Sequence, residues 1–342
     1  MPDLRTGVLL VNLGTPDSPR VRDVRRYLRE FLSDPLVIDL PAVSRWLLLN
    51  LVILPLRPRS SARAYAKVWT PEGSPLRVHG RALRDAVAAE LGNAYLVELG
   101  MRYGHPSIPG ALERLATADV ARIVALPLFP QHSSAATGSV VAKVCDTIER
   151  VPSIPPVETL GAFYDNPGFI GAFAAAARPR LEAFRPDFVL MSFHGLPERH
   201  VRRADPSGRH CLASEDCCDA TADVNRDCYR AQCMATARAL ANALDLDDGA
   251  HAVAFQSRLG RTPWIRPYTD EMFPELARAG IRRLAVLCPA FVADCLETLE
   301  EIGMRGRDQW LGLGGEALQL VPCLNADPAW VRTVADMIRS AA

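Results

Sequence analysis

The sequence predicts an α/β protein of two lobes, each built on a parallel sheet, and three observations carry that reading. The first is length: 342 residues with 49% apolar content exceed one small core and suit two domains of ordinary size. The second is a series of short β-rich apolar runs at 6–12, 95–101, 122–128, 187–193, 250–256, 283–289 and 317–321, separated by amphipathic segments of helix length. Their apolarity is continuous, the mark of strands buried on both faces, and strands alternating with helices imply parallel sheets with right-handed crossovers. The third is a weak internal duplication. VLLVNLGTP resembles VLMSFHGLP, ELGMRYGHP resembles AFQSRLGRTPW, and VALPLFPQ resembles AVLCPAFV, so the same fold is expected twice.

In chain order, the opening MPDLRTGVLLVN has one Arg and a short apolar run, without the longer core and small-residue cleavage site of a signal peptide. After Asp17-Ser18-Pro19, a cap followed by Pro starts a helix with Val21, Val24, Leu28 and Leu32 on one face. Arg20, Arg22, Arg25, Arg26 and Arg29 surround that face and read as a solvated surface. The segment 41–58 contains SRWLLLNLVILPL, which reads either as core or as an exposed lip over a hydrophobic ligand that also touches a membrane. Its apolar run from Trp46 to Leu56, broken by Asn50 and Pro55, falls short of the roughly 18 residues a spanning helix needs. A Pro-rich stretch, 151–156 and then Asn166-Pro167, is the natural hinge. The expected division is a first lobe over 1–160, a second over 161–325 with a cysteine-rich insertion at 205–233, and a C-terminal helix over 326–342.

Charge excludes several functions. Lys and Arg total 39 and so do Asp and Glu, so no net field would hold nucleic acid. With neither a signal peptide nor a spanning segment, the expected location is the cytoplasm, the lip at 41–58 offering peripheral contact with the inner face of the membrane. There, nine cysteines read as thiols or metal ligands instead of disulfides. Neither G-x-x-x-x-G-K-[ST] nor G-x-G-x-x-G nor G-x-S-x-G occurs in the expected place, which removes nucleotide and acyl-transfer chemistry.

In open parallel sheets ligands bind beyond the carboxyl ends of the strands. The residues there include Leu13, Arg102, Tyr103, His194, Ser257 and Trp264: aromatic, basic and imidazole-bearing side chains suited to a flat apolar ligand with carboxylate tails. His194 follows a buried run in MSFHGLP. Downstream, DCLETLEE should open a helix that sets Glu297 and Glu301 one turn apart on one face. An imidazole facing a line of carboxylates makes a relay for protons and metal cations.

At this point the chain resembles ferrochelatases from end to end, most closely those of Gram-negative type. The motifs are LLVNLGTPDSP, YLREFLSDP, VWTPEGSPL, LGMRYGHPSI, LPLFPQ, SFHGLPERH, FQSRLGRTPWIRPYTDE and CPAFVADCLETLEEI, in order over about 300 residues. The resemblance implies a lyase-class metal chelatase with two Rossmann-like lobes around a porphyrin cleft, converting Fe²⁺ and protoporphyrin IX to protohaem and two protons. It implies His194 as the catalytic imidazole, Glu297 as its acidic partner on the metal and Glu301 as the next member of the acidic path. Arg102, Tyr103, Ser257 and Trp264 would then line the porphyrin pocket, with Gln256 beside Ser257. Leu13 stands where coproporphyrin-using Gram-positive members carry Tyr, which favours protoporphyrin. Cys295 stands where animal-type members carry His, so a second imidazole on the metal path is missing. The alternatives are metallation of coproporphyrin or of a cobalt tetrapyrrole, and a non-catalytic porphyrin or haem carrier with an iron-sensing cluster.

Cys211, Cys217, Cys218, Cys228 and Cys233 place five of nine cysteines within 23 residues. Reduced thiols, a structural Zn²⁺ and a [2Fe–2S] cluster are the readings open to them. The spacing does not form two C-x-x-C knuckles, and some ferrochelatases carry cluster ligands in an internal segment like this one, which favours the cluster. Four ligands must come from five candidates. Because adjacent cysteines diverge in most backbone conformations, the expected set is Cys211, one of Cys217 and Cys218, Cys228 and Cys233. Cys145, Cys288 and Cys323 read as core.

Overall fold

Residues 5–260 and 262–341 are described in the structure, a computed structural model. The first sheet contains β1 (Thr6–Thr15), β2 (Tyr95–Gly104), β3 (Arg122–Pro127) and β4 (Val157–Thr159) in the order β2-β1-β3-β4. The second contains β5 (Phe188–His194), β6 (His251–Gln256), β7 (Arg283–Leu287) and β8 (Ala317–Leu320) in the order β6-β5-β7-β8. Every pairing is parallel. The two orders are the same pattern repeated, so the duplication in sequence is a duplication in topology.

The sequence composition explains the central strands. Val8, Leu9, Leu10 and Val11 of β1 and Leu190, Met191 and Phe193 of β5 are fully buried, as a strand covered on both faces requires. The strand missed in the sequence is β4. It is three residues long, lies at the sheet edge and follows Pro155 and Pro156, whose missing N–H groups an edge position tolerates. Pro156 contributes its carbonyl instead, which accepts from the Ile123 N–H at 2.9 Å.

By density of internal contact the first compact unit runs to Phe129 and adds Ser133–Ala162 and the chain from Val331. The second is Pro130–His132 with Phe163–Trp330. Inside the first, Gly14 brings β1 against β2 where a Cβ would stand 1.9 Å from the Tyr103 carbonyl oxygen, so no side chain fits there. The C-terminal helix is fastened to this unit by Arg339, which donates to the Glu90 carbonyl at 2.9 Å, and by Arg122, which donates to the Ala341 carbonyl.

The first helix spans Val21–Ser33 and buries Val24, Tyr27, Leu28 and Leu32. Two sequence expectations fail here. Ser18 does not cap this helix, because its hydroxyl donates to Asp23 at 2.6 Å, and Val21, in the first turn, is 45% exposed. The 41–58 segment divides its apolar side chains: Leu49 and Leu54 are buried, while Val43, Trp46, Leu51 and Leu56 are 59–71% exposed. No helix among the described residues is long and apolar enough to cross a membrane.

Candidate active site

The second unit assembles five of the expected site residues around the carboxyl ends of β5 and β6. His194 is the last residue of β5, paired in register with Gln256. Its Nδ1 lies 2.7 Å from the Gly195 carbonyl oxygen, which can only accept, so Nδ1 is the donor of that pair and Nε2 is the other ring nitrogen, left for chemistry. Trp264 and Phe291 flank the imidazole, with ring centroids 6.5 and 6.2 Å away. Trp264 is held by its indole N–H on the Leu259 carbonyl at 2.9 Å and by its backbone carbonyl, which accepts from the Tyr268 hydroxyl at 3.1 Å. Next to His194, Gly195 is obligatory: a Cβ would meet the Gln256 carbonyl at 2.8 Å and the Trp264 ring at 3.2 Å.

Glu297 and Glu301 lie on one helix as expected, but it is a π-helix, Glu297–Gly306. Its wider turn is of the kind that recurs at functional sites. Ser257, immediately after β6, adopts a left-handed backbone, φ 68°, uncommon for a residue other than glycine. That conformation aims both of its donors at one carboxylate: the N–H at Glu301 Oε1, 2.8 Å, and the hydroxyl at Oε2, 2.5 Å. Burial raises the Glu301 carboxyl above the usual range and the nearby Glu297 charge adds to that, while Ser257, His194 and Arg305 oppose it. His194, Glu297 and Glu301 therefore share one electrostatic environment. Gln256, expected beside Ser257 at the mouth, is instead buried. It accepts from the Ser192 hydroxyl at 2.8 Å and donates to the Glu297 carbonyl at 2.8 Å, stapling the start of the π-helix to β5 and β6.

In the first unit, Arg102 and Tyr103 end β2, and Leu13, half-buried, lies on β1 between the residues paired with Met101 and Tyr103. Tyr103 is fully buried, so its ring is enclosed by protein and is not presented to a ligand. Its hydroxyl donates to Asp34 at 2.8 Å. The same carboxylate accepts from the Ser139 hydroxyl at 2.6 Å and from Arg102 at 2.5 Å. Burial alone would raise the Asp34 carboxyl, but Ser139, the Leu36 N–H, Tyr103 and Arg102 together hold it below the ordinary range. Asp34 stands in the YLREFLSDP motif, but nothing in the sequence pattern pairs it with Ser139. They lie 105 positions apart, and only the fold brings them together.

A ferrochelatase family model matches residues 5–342. The chain belongs to the ferrochelatase family. A ferrochelatase of Azotobacter vinelandii is 52% identical over 334 residues, covering 97% of this chain and 98% of that one. One of Coxiella burnetii (strain Dugway 5J108-111) is 48% identical over 335 residues, covering 98% and 93%. Among solved structures, the sirohydrochlorin chelatase SirB from Bacillus subtilis subspecies spizizenii, in complex with cobalt, matches with a TM-score of 0.55 at 10% identity, covering 99% of this chain and 96% of that one. CbiX, the terminal enzyme for biosynthesis of sirohaem in denitrifying bacteria, matches at 0.51 and 15% identity, covering 98% and 99%. At such identities the likeness is one of fold. Family membership makes this chain a metal chelatase of haem biosynthesis, with ferrous iron and a porphyrin as substrates.

The ferrochelatase insertion carrying the cysteines is built around two polar anchors. Asp205 accepts from the N–H groups of Ser207, His210 and Cys211 at 2.7–2.9 Å, which hold its carboxyl well below the usual range. Asn225 donates to the carbonyls of Cys217 at 3.0 Å and Ala220 at 2.9 Å. Between them Cys211, Cys217, Cys218 and Cys228 are all buried. The Cys217 and Cys218 sulfurs are 3.7 Å apart, so adjacency has not driven them to opposite sides. Cys228 lies within hydrogen-bonding reach of both Cys211 and Cys218, and the Arg230 guanidinium is 3.8 Å from the Cys217 sulfur. Cys233, one turn into the helix Tyr229–Leu244, sits against the Tyr229 hydroxyl. Cys288 and Cys323 are buried, but Cys145, expected in the core, is exposed, because the helix Ser139–Arg150 turns Val140, Val144 and Thr147 inward. Among the described residues no group of three or more His, Cys, Asp or Glu forms a ready single-ion site.

Proposed function

We propose that the protein inserts Fe²⁺ into protoporphyrin IX, with Nε2 of His194 accepting a pyrrole proton and the Glu301–Glu297 pair receiving the released protons and holding the entering ion. The carrying observation is the His194 ring, anchored through Nδ1 so that Nε2 is the nitrogen that accepts, within electrostatic reach of the buried Glu301 carboxyl. An imidazolium formed there is stabilised by the ionised Glu301 carboxylate, which can then take the proton on from His194. Imidazole and carboxylate both suit ferrous iron, so Glu297 can ligate the ion while His194 takes the proton. Trp264 and Phe291 beside His194 offer apolar faces to a macrocycle. A pocket that binds the bent ring better than the flat one lowers the barrier to insertion, because in the bent ring the nitrogen lone pairs point out of the plane. Arg102 and Tyr103 contribute through the Asp34 network, which fixes the carboxyl end of β2. The exposed side chains of Val43, Trp46, Leu51 and Leu56 form the lip and serve as a peripheral membrane contact.

The cysteine segment fits a [2Fe–2S] cluster. Such a cluster needs two pairs of thiolates, each pair on its own iron, whereas zinc needs all four donors around one ion. Support comes from four buried cysteines in one short segment: the Cys217 and Cys218 sulfurs are 3.7 Å apart, Cys228 lies within reach of Cys211 and Cys218, and Arg230 offsets negative charge on the sulfurs. This set replaces Cys233 with the second member of the Cys217–Cys218 pair, whose sulfurs are 3.7 Å apart, Cys233 lying one turn into the helix Tyr229–Leu244. The cluster braces the insertion or senses iron or oxidants; metallation itself transfers no electron.

Anaerobic turnover tests the reading. Protein given protoporphyrin or coproporphyrin with Fe²⁺ or Co²⁺ in parallel should metallate protoporphyrin with iron fastest. Tight porphyrin binding with no metallation above the uncatalysed rate would make the protein a carrier.

A further inference from the structure

The peptide plane that carries the catalytic imidazole is held from both ends, and one of the two holders is a side chain outside the motifs that define the site. The Gly195 N–H donates to the Gln256 carbonyl of β6 at 2.8 Å. Across a trans peptide the C=O points the opposite way, so the His194 carbonyl faces the other flank of β5. There β7 no longer pairs, its register with β5 ending at Met191 and Leu287. A half-buried carbonyl without a strand partner needs a donor. It receives one at 2.7 Å from the hydroxyl of Tyr229, a buried residue 35 positions away.

We propose that Tyr229 is a positioning residue for the metallation reaction. It fixes the 194–195 peptide plane, and through it the Gly195 carbonyl that orients the His194 ring. The following carbonyl of the same short turn is the one that accepts from Nδ1 at 2.7 Å, so a rotation of this plane moves the anchor of the imidazole and the direction of Nε2. Tyr229 is also the first residue of its helix, directly after Cys228. The ordering of the cysteine segment is thereby transmitted to the proton acceptor by one side chain. The inference rests on His194 being that acceptor.

Tyr229→Phe tests it, because it keeps the ring and its packing and removes only the donor. Loss of one hydrogen bond that leaves a carbonyl unpaired should lower kcat roughly tenfold. The KM for porphyrin should stay within about twofold and the pH profile of kcat should shift, neither of which a loss of general rigidity would produce together. Equal losses in porphyrin affinity and thermal stability with an unshifted pH profile would overturn the assignment. His194→Ala is measured alongside. If it is inactive while Tyr229→Phe matches the parent in kcat and pH profile, the Tyr229 assignment alone fails. If it turns over like the parent, the reading of His194 fails and the assignment falls with it.

Discussion

Replacing Ser257 by Gly removes one hydroxyl from the carboxylate that the proposed proton path depends on. It leaves the backbone N–H donor, at 2.8 Å from Glu301, in place, and the left-handed conformation of residue 257 suits glycine without strain. The lost bond is the one at 2.5 Å from the Ser257 hydroxyl to Glu301 Oε2, and it favours the charged carboxylate. A hydrogen bond to a charged group contributes about 1.5–3 kcal/mol, equivalent to roughly tenfold to a hundredfold in the balance between ionised and neutral carboxyl. Burial has already raised Glu301, and the substitution raises it further. The acid limb of the kcat profile therefore moves to higher pH, with a rate loss of roughly tenfold or more on that limb and an unchanged alkaline plateau. Stability follows the same sign. A carboxyl raised on folding contributes stability below its unfolded value and loses it as pH rises through the folded value, and Ser257→Gly enlarges that loss. Anaerobic metallation rates across pH, followed by porphyrin fluorescence, provide the assay. An acid limb that stays in place, or moves to lower pH, would refute the coupling of Ser257 and Glu301 to turnover.

Asp34→Ala strips three donors of their acceptor, Arg102 among them, and should cost about 3–5 kcal/mol in urea unfolding at neutral pH. Because folding lowers the Asp34 carboxyl, its contribution is full above the unfolded value of about 3.9 and is lost as pH falls through the folded value, so parent and variant should converge in acid. Gly195→Ala drives a methyl against the Gln256 carbonyl; about 1–3 kcal/mol of destabilisation, seen by thermal melting, should accompany loss of metallation. Protein isolated without oxygen should be brown, with iron and acid-labile sulfide. Cys228→Ser should bleach it and Cys145→Ser, at an exposed position, should not, whereas colourless parent protein with stoichiometric zinc would overturn the cluster.

The fold was legible where burial dictated composition. Each apolar run in the sequence became a strand, because a parallel strand covered on both faces cannot alternate. β4 was hidden, since three residues behind two prolines at a sheet edge carry no pattern. The helix beginning at Val21 is visible by its period, but its start is not, because Ser18 spends its hydroxyl on Asp23 instead of a helix N–H. In the candidate site, His194 and Ser257 at strand ends and Trp264 in the segment after β6 could be marked from sequence, as could the carboxylates at Glu297 and Glu301. What escaped were long-range hydrogen bonds: Tyr229 on the His194 carbonyl, Asp34 under Arg102 and Tyr103, and Gln256 turned inward. These depend on which face of an element a polar side chain occupies, and strand periodicity in a doubly buried sheet does not distinguish the faces.

The most direct measurement is the stoichiometric insertion of Fe²⁺ into protoporphyrin IX by parent and His194→Ala protein under identical anaerobic conditions, with porphyrin binding recorded for both. The account predicts that the variant still binds the macrocycle and loses metallation by at least a hundredfold, roughly the share of a general base. Turnover at the parent rate by the variant would contradict it.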